Sequence, residues 1–258
     1  MNAPLLFVAA LDWEAEQVVR QIASPAVSAS GAARLWRGRR GEREIAVLRS
    51  GIGSERAVAA LAWAALAVRP AVVLSTGCGG GLADPLATGD VVVADEVVSG
   101  DGSCWPTSAG WRARYARAAE RAGARVFAGR LLTSAEVLAG PGGKRAAAER
   151  ARALAVDMEG AALAERAARL GVEFAAARVI LDPVTASIPG ELLPAVDESG
   201  RPSLRRLLSL ILRRPGVAFD LWTLGAAAAA CRKVLFAIHR DFLSSLEREP
   251  PARDHGLP

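Results

Sequence analysis

The chain has 258 residues, 52% of them hydrophobic and 23% charged, with a formal net charge of +5. It is too apolar for a disordered chain and too evenly charged for a membrane protein, and its length suits one soluble α/β domain with a core of its own. Three widely spaced cysteines (Cys78, Cys104, Cys231) without a CxxC pair, beside only two histidines (His239, His255), argue against a disulfide framework or a zinc site and for a reducing compartment.

In chain order, residues 5–11 (LLFVAAL) are apolar, lack a basic leader and run into Asp12, Glu14 and Glu16, which predicts a first buried strand rather than a signal peptide. Strands are predicted over 5–10, 45–49, 71–75, 90–98 and 174–181, several of them apolar without alternation, as expected when both faces are covered. Between them the pattern predicts helices over 14–22, 54–68, 111–122, 145–154 and 158–170, with Ser54 placed to cap the second and Gly171 to end the last. Such alternation describes a mixed, mostly parallel central sheet flanked by helices. Residues 134–144 (SAEVLAGPGGK) read as a glycine-rich loop, and 183–202 as a long proline-interrupted segment of the kind that forms lids. Beyond it, 204–243 is expected to form two or three apolar helices, so the chain divides into a domain over 1–203 and a helical extension over 204–258 packed on it. The longest uncharged apolar stretch, 221–231, is too short to span a bilayer core of about 30 Å.

In open α/β sheets ligands gather at the carboxyl ends of the strands. There the sequence places ALDWE (10–14), SGIG (50–53), TGCGGGL (76–82) followed by GDVVVADE (89–96), VDMEG (156–160) and RVILD (178–182). The glycine run lets backbone approach a ligand closely, but it is neither a Walker loop nor a GxGxxG fingerprint, and a tight turn explains it equally well. Asp182 ends an apolar strand, where a carboxylate is costly to bury without a task. Glu159 and Glu14 fit either helix-start carboxylates or catalytic ones.

Together these five segments resemble the nucleoside phosphorylase and nucleosidase superfamily, in order and spacing most like the methylthioadenosine/adenosylhomocysteine nucleosidases from about residue 5 to 182. The chain as a whole is similar to the hopanoid-associated phosphorylase branch, which implies removal of adenine from adenosylhopane. The resemblance implies that Asp182 donates a proton to purine N7, that Glu159 holds the ribose hydroxyls, and that Glu14 activates water in the hydrolytic members. It implies that Met158 packs against the ribose and that Gly77, Cys78 and Gly79 lie beside the sugar and nucleophile. Val137 falls near the position of the base-stacking aromatic. Leu181 stands where a serine often orients the acid, and Cys78 where a serine is common; a thiol is a poorer donor.

The leading expectation is therefore cleavage of the N-glycosidic bond of an adenine nucleoside with an apolar 5′ substituent, by phosphorolysis with inorganic phosphate as co-substrate and Arg49 as a candidate phosphate contact. Hydrolysis of the methylthioadenosine/adenosylhomocysteine type is the alternative, favoured by Glu14 and by Ser75 where related phosphorylases carry an arginine. A noncatalytic nucleoside- or membrane-binding module is the third. No metal or redox cofactor is implied. The expected partners are a small nucleoside and, through the resemblance, further copies of the chain in a homo-oligomer.

The basic charge could mean nucleic acid, but it is carried by thirty arginines against two lysines, Lys144 and Lys233, which with the abundant alanine fits a GC-rich codon bias. No clustered basic and aromatic motif supports a nucleic-acid partner. Peripheral membrane contact through 204–243, with Arg205, Arg206, Arg213 and Arg214 at anionic headgroups, competes with extra core or subunit-interface helices. The expected location is the cytoplasm, or the inner face of its membrane.

Overall fold

The computed structural model describes residues 3–188, 214 and 217–248. In chain order the elements are β1 (Leu5–Ala9), α1 (Asp12–Val19), β2 (Ala23–Ser30), β3 (Ala33–Arg40), β4 (Arg43–Arg49), α2 (Ser54–Val68), β5 (Val72–Ser75), β6 (Cys78–Gly81), β7 (Val91–Ser99), β8 (Cys104–Pro106), α3 (Ala109–Arg121), β9 (Val126–Thr133), α4 (Pro141–Ala151), β10 (Ala153–Asp157), α5 (Gly160–Leu170), β11 (Glu173–Asp182) and α6 (Val217–Glu247).

The strands lie in the order β2-β3-β4-β1-β5-β11-β6-β10-β9-β7-β8. β1 pairs in parallel with β4 and β5, and β5 with β11, so the mostly parallel sheet expected from the apolar runs is present. β7 also pairs with β11, which closes β11, β6, β10, β9 and β7 into a ring. Because successive residues of a strand face opposite sides, β1 divides its side chains between two cores. Leu6 and Val8 join Leu61 and Ala64 of α2 and Leu163 and Ala167 of α5. Leu5 and Phe7 join Val18 of α1, Tyr115 of α3 and Leu235, Ile238 and Phe242 of α6. The buried positions of α2, Ala57, Ala60, Leu61, Ala64 and Val68, fall at helical spacing. Small side chains there let the helix sit close to the sheet.

Several boundaries differ from expectation. α4 starts at Pro141, a residue pre-shaped for the first helical position, so Gly142, Gly143 and Lys144 belong to its first turn rather than to a loop, and residues 153 and 154 belong to β10. The cap of α2 is Gly53, at φ +98°, with Ser54 the first helical residue; Gly171 does end α5 in the left-handed conformation. The glycine run is no turn: Cys78–Gly81 is a strand between β11 and β10. Among the described residues the C-terminal region holds one long helix, α6; the rest of the span expected to be helical, 204–213, lies outside them. By length and composition α6 could cross a membrane. Its second half nevertheless packs Cys231, Leu235, Ile238, Phe242 and Leu243 into the second core, while Phe219 and Trp222 in its first half are each 69% exposed.

Candidate active site

The carboxyl ends of β1, β5, β10 and β11 open into a cavity of about 450 Å³, lined by the ends of those strands, the glycines of β6, the start of α5, the loop before α4, and Leu224 of α6. Glu14, Gly77, Cys78, Gly79, Val137, Met158, Glu159 and Asp182 all line it, so the catalytic and nucleoside-binding candidates from the sequence are brought to one place.

Glu14 lies in the first turn of α1 and is buried. Its Oε1 accepts the Cys78 amide at 2.7 Å and its Oε2 the Leu11 amide at 3.1 Å. Burial pushes its pKa up, and these amides hold it back. Gly77, at φ +142°, is required here: a Cβ on it would lie 2.8 Å from Glu14 Oε1. Gly79 is equally constrained, since a Cβ would approach the Val156 carbonyl to 2.7 Å. Gly77 and the following Gly79 and Gly80 of β6 therefore line the cavity with bare backbone beside Cys78.

Glu159 sits at the N-cap of α5 and accepts the Gly53 amide at 2.7 Å; the second glycine of SGIG is explained by its φ of +98°, which L side chains rarely adopt. Burial, with the neighbouring Asp157 adding to it, raises its pKa to about 7. Met158 is half-buried, and its carbonyl receives the Ser54 hydroxyl at 3.0 Å. Cys78 is a half-buried thiol lining the cavity, and desolvation and Cys231 push its pKa well up, so it is no thiolate nucleophile.

Two further charged residues, not expected from the sequence, are bonded to the carboxylates of the site. Arg178 is buried under the cavity, where its Nη2 donates to Asp157 Oδ2 at 2.5 Å and to Ser75 Oγ at 2.8 Å, and its Nη1 donates to the Ala177 carbonyl at 2.9 Å. Burial opposes its charge, but Asp157, Glu159 and Glu14 outweigh that and keep it protonated. Asp157 also accepts the Thr133 hydroxyl at 2.7 Å and the Gly160 amide, which makes it a support for the arginine rather than a free carboxylate. Lys144 is the other: wholly buried, it places Nζ 2.5 Å from Asp182 Oδ2. Burial raises the Asp182 pKa while Lys144 holds it down. Arg178 stood inside the RVILD motif, and its place two strand periods before Asp182 was the available signal; Lys144 left only its rarity.

Arg49 does not reach the cavity as a phosphate contact. It is buried, and its Nε pairs with Asp12 Oδ1 at 2.9 Å. Val137 lines the site at 37% exposure without an aromatic face to stack on a base. Leu181 and Trp13 add further apolar wall, with Arg232 of α6 lying over the Trp13 ring at 5.4 Å.

Buried carboxylates and an arginine at the carboxyl end of a parallel sheet, with an apolar wall beside them, define a small-molecule site of the α/β enzyme class. The chain belongs to the Phosphorylase superfamily, whose sequence profile matches residues 4–213. It is 32% identical over 94 residues to the 5′-methylthioadenosine/S-adenosylhomocysteine nucleosidase of Listeria monocytogenes, a match spanning 36% of this chain and 40% of that protein. The nucleosidase of the same name from Shewanella halifaxensis is 25% identical over 224 residues, 79% of this chain and 96% of the relative. Among solved structures, the nucleosidase of Neisseria meningitidis in complex with methylthio-immucillin-A superposes with a TM-score of 0.71 at 22% identity, covering 92% of this chain and 98% of the other. A futalosine hydrolase mutant of Helicobacter pylori gives 0.64 at 21% identity over 69% and 89%. At these identities the structural likeness establishes the mixed α/β fold with its central sheet.

Proposed function

We propose that this protein hydrolyses the N-glycosidic bond of an adenine nucleoside, with Asp182 as general acid to the base, Glu159 on the ribose hydroxyls and Glu14 as the base that activates water. The observation that carries the reading is the joint placement of the three carboxylates on one cavity, each with a different environment. Asp182 is half-buried and paired with a lysine, Glu159 has its pKa raised to about 7, and Glu14 is clamped by two amides. Chemistry follows from those differences. A proton moves from Asp182 to a ring nitrogen, the C–N electron pair leaves with the base, and positive charge develops on the sugar. Ionised Glu159 stabilises that charge, and Glu14 takes a proton from the attacking water. Arg178, fixed by Asp157 and Ser75, balances the negative charge of Glu14 and Glu159.

Hydrolysis is preferred to the phosphorolysis of adenosylhopane that led the sequence reading. The relatives named above are nucleosidases, Arg49 is engaged by Asp12, and the arginine beneath the site is engaged by Asp157. An apolar 5′ substituent is supported by the wall formed by Leu11, Trp13, Ile52, Ile188 and Leu224. As a narrower part of the same reading, exposed Phe219 and Trp222 beside that wall form a surface for peripheral membrane contact. Exposed Arg214 just precedes α6, its carbonyl accepting the Val217 amide at 3.0 Å, while Arg205, Arg206 and Arg213 are outside the described residues. Self-association into a homo-oligomer is part of the proposal as well, supported by superfamily membership alone.

Product analysis tests the reaction. Adenine released from methylthioadenosine and from 5′-alkyl adenosines at the same rate with and without phosphate supports hydrolysis. Strict dependence on phosphate, or no release by folded protein, defeats it.

A further inference from the structure

The chain writes arginine at thirty of its thirty-two basic positions, yet the side chain held against Asp182 is a lysine. Lys144 lies in the first turn of α4, and none of it is exposed. Its Nζ donates to Asp182 Oδ2 at 2.5 Å, to the Pro183 carbonyl at 2.8 Å and to the Ala186 carbonyl at 3.1 Å, with the Asp182 carbonyl at 3.4 Å. Four oxygens therefore surround one nitrogen in a closed cage. A compact ammonium with three rotatable protons fits such a cage, whereas the flat, wider guanidinium fork does not. Codon bias explains thirty arginines; the cage explains why this position is not another.

A wholly buried ammonium is expensive unless paired and hydrogen-bonded, so the contacts of Lys144 are tightly constrained. Two of them have consequences for the acid. The bond to Oδ2 fixes the rotation of the carboxyl group. The bonds to Pro183 and Ala186 tie the turn after β11 to the same nitrogen, so acid and turn move together. Gly80 of β6 lies against the carboxyl, and a Cβ there would press on Val156 Cγ1 at 3.1 Å while meeting Oδ2 at an ordinary contact distance of 3.4 Å. The elements packed around Asp182 otherwise present Val156 from β10 and, from the loop before α4, the exposed carboxylate of Glu136, which also faces the cavity. Among the described residues Lys144 is the charged group bonded to Asp182.

We propose that Lys144 is the positioning residue of the reaction: it holds Oδ2 so that Oδ1 presents the proton to the leaving base, and it stabilises the carboxylate that remains. This rests on the reading of Asp182 as the acid. The proton passes from Oδ1 to a base nitrogen, the C–N bond breaks with its electron pair going to the base, and Asp182 is left as a carboxylate facing the Lys144 cation. The ammonium thus favours the state formed in the transition state over the protonated ground state. It also lowers the pH above which the acid has lost its proton, against the burial that raises it.

The test compares Lys144→Met and Lys144→Arg with the wild type by the pH profile of kcat for adenine release, with thermal unfolding as the control for folding. Removal of the cation in Lys144→Met moves the alkaline limb of kcat upward by at least one pH unit and lowers kcat about 10- to 100-fold, with KM nearly unchanged. Lys144→Arg keeps the limb close to its wild-type position but does not recover the rate, because the fork cannot occupy the cage. A folded Lys144→Met with the wild-type limb overturns the proposal. If that variant does not fold, Lys144→Arg decides, and a wild-type kcat in it overturns the proposal. Should wild-type protein release no adenine at all, the reading of Asp182 as acid fails separately. The pair is then read from the pH midpoint of adenine binding by calorimetry, where a midpoint that is absent, or the same in wild type and variant, overturns the coupling too.

Discussion

Glu159→Gln separates the electrostatic cost of this site from its shape. Glu159 is 7% exposed, accepts the Gly53 amide at 2.7 Å and has a pKa raised from 4.5 to about 7, chiefly by burial and then by Asp157. A carboxyl whose folded pKa lies above its unfolded value contributes stability that is fully present below pH 4.5 and is lost as pH rises through 7. A rise from 4.5 to about 7 corresponds to on the order of 3 kcal/mol between acid and neutral conditions. Glutamine keeps the shape and an acceptor for Gly53 but has no charge to bury. Denaturant unfolding of both proteins at pH 5 and pH 8 reads the effect. Relative to wild type, Glu159→Gln gains roughly 2–3 kcal/mol on going from pH 5 to pH 8, while adenine release falls sharply because the developing sugar cation has lost its anion. Stability differences that are the same at the two pH values refute the reasoning, since Glu159 would then titrate as an ordinary carboxylate.

Other residues give independent outcomes. Asp182→Asn removes the transferable proton while leaving an oxygen for Lys144, so kcat for adenine release falls by about 10²- to 10⁴-fold with the fold intact by circular dichroism; a near-normal rate contradicts the acid role. Gly77→Ala puts a Cβ 2.8 Å from Glu14 Oε1 at a φ of +142°, which displaces the carboxylate and costs about 1–3 kcal/mol. Unfolding and steady-state kinetics then show lower stability together with at least a tenfold loss of kcat, and an unchanged pair of values refutes the close approach.

Much of this site was legible because its parts are short, chemically unusual and placed after apolar strands. Asp182 after RVIL, Glu159 after VDM and Glu14 after ALDW all line the cavity. Local pattern was weakest where structure depends on a distant partner. The hairpin of β2 and β3 was not expected because β2, ASPAVSAS, is exposed along its whole length and shows no apolar alternation, and its place comes from pairing with β3. CGGG has no strand propensity; it is a strand because β11 and β10 flank it, and Val156 and Arg178 leave little room for a side chain at Gly79. Lys144 looked like the end of a glycine-rich loop; only the path of α4 across the turn at 183–186 brings it to Asp182. Arg49 shows the reverse error, since a basic residue beside the SGIG turn suggested an anion site, whereas its neighbour in space is Asp12.

The central claim is that water, activated at Glu14, attacks the sugar as Asp182 protonates the base. Turnover of methylthioadenosine in water enriched in oxygen-18, with phosphate present, followed by mass spectrometry of the sugar after reduction to block exchange at its anomeric carbon, tests it most directly. Hydrolysis predicts one heavy oxygen in the sugar, no sugar phosphate, and loss of both label and adenine release in Glu14→Gln. A sugar 1-phosphate with its bridging oxygen unlabelled would contradict the account.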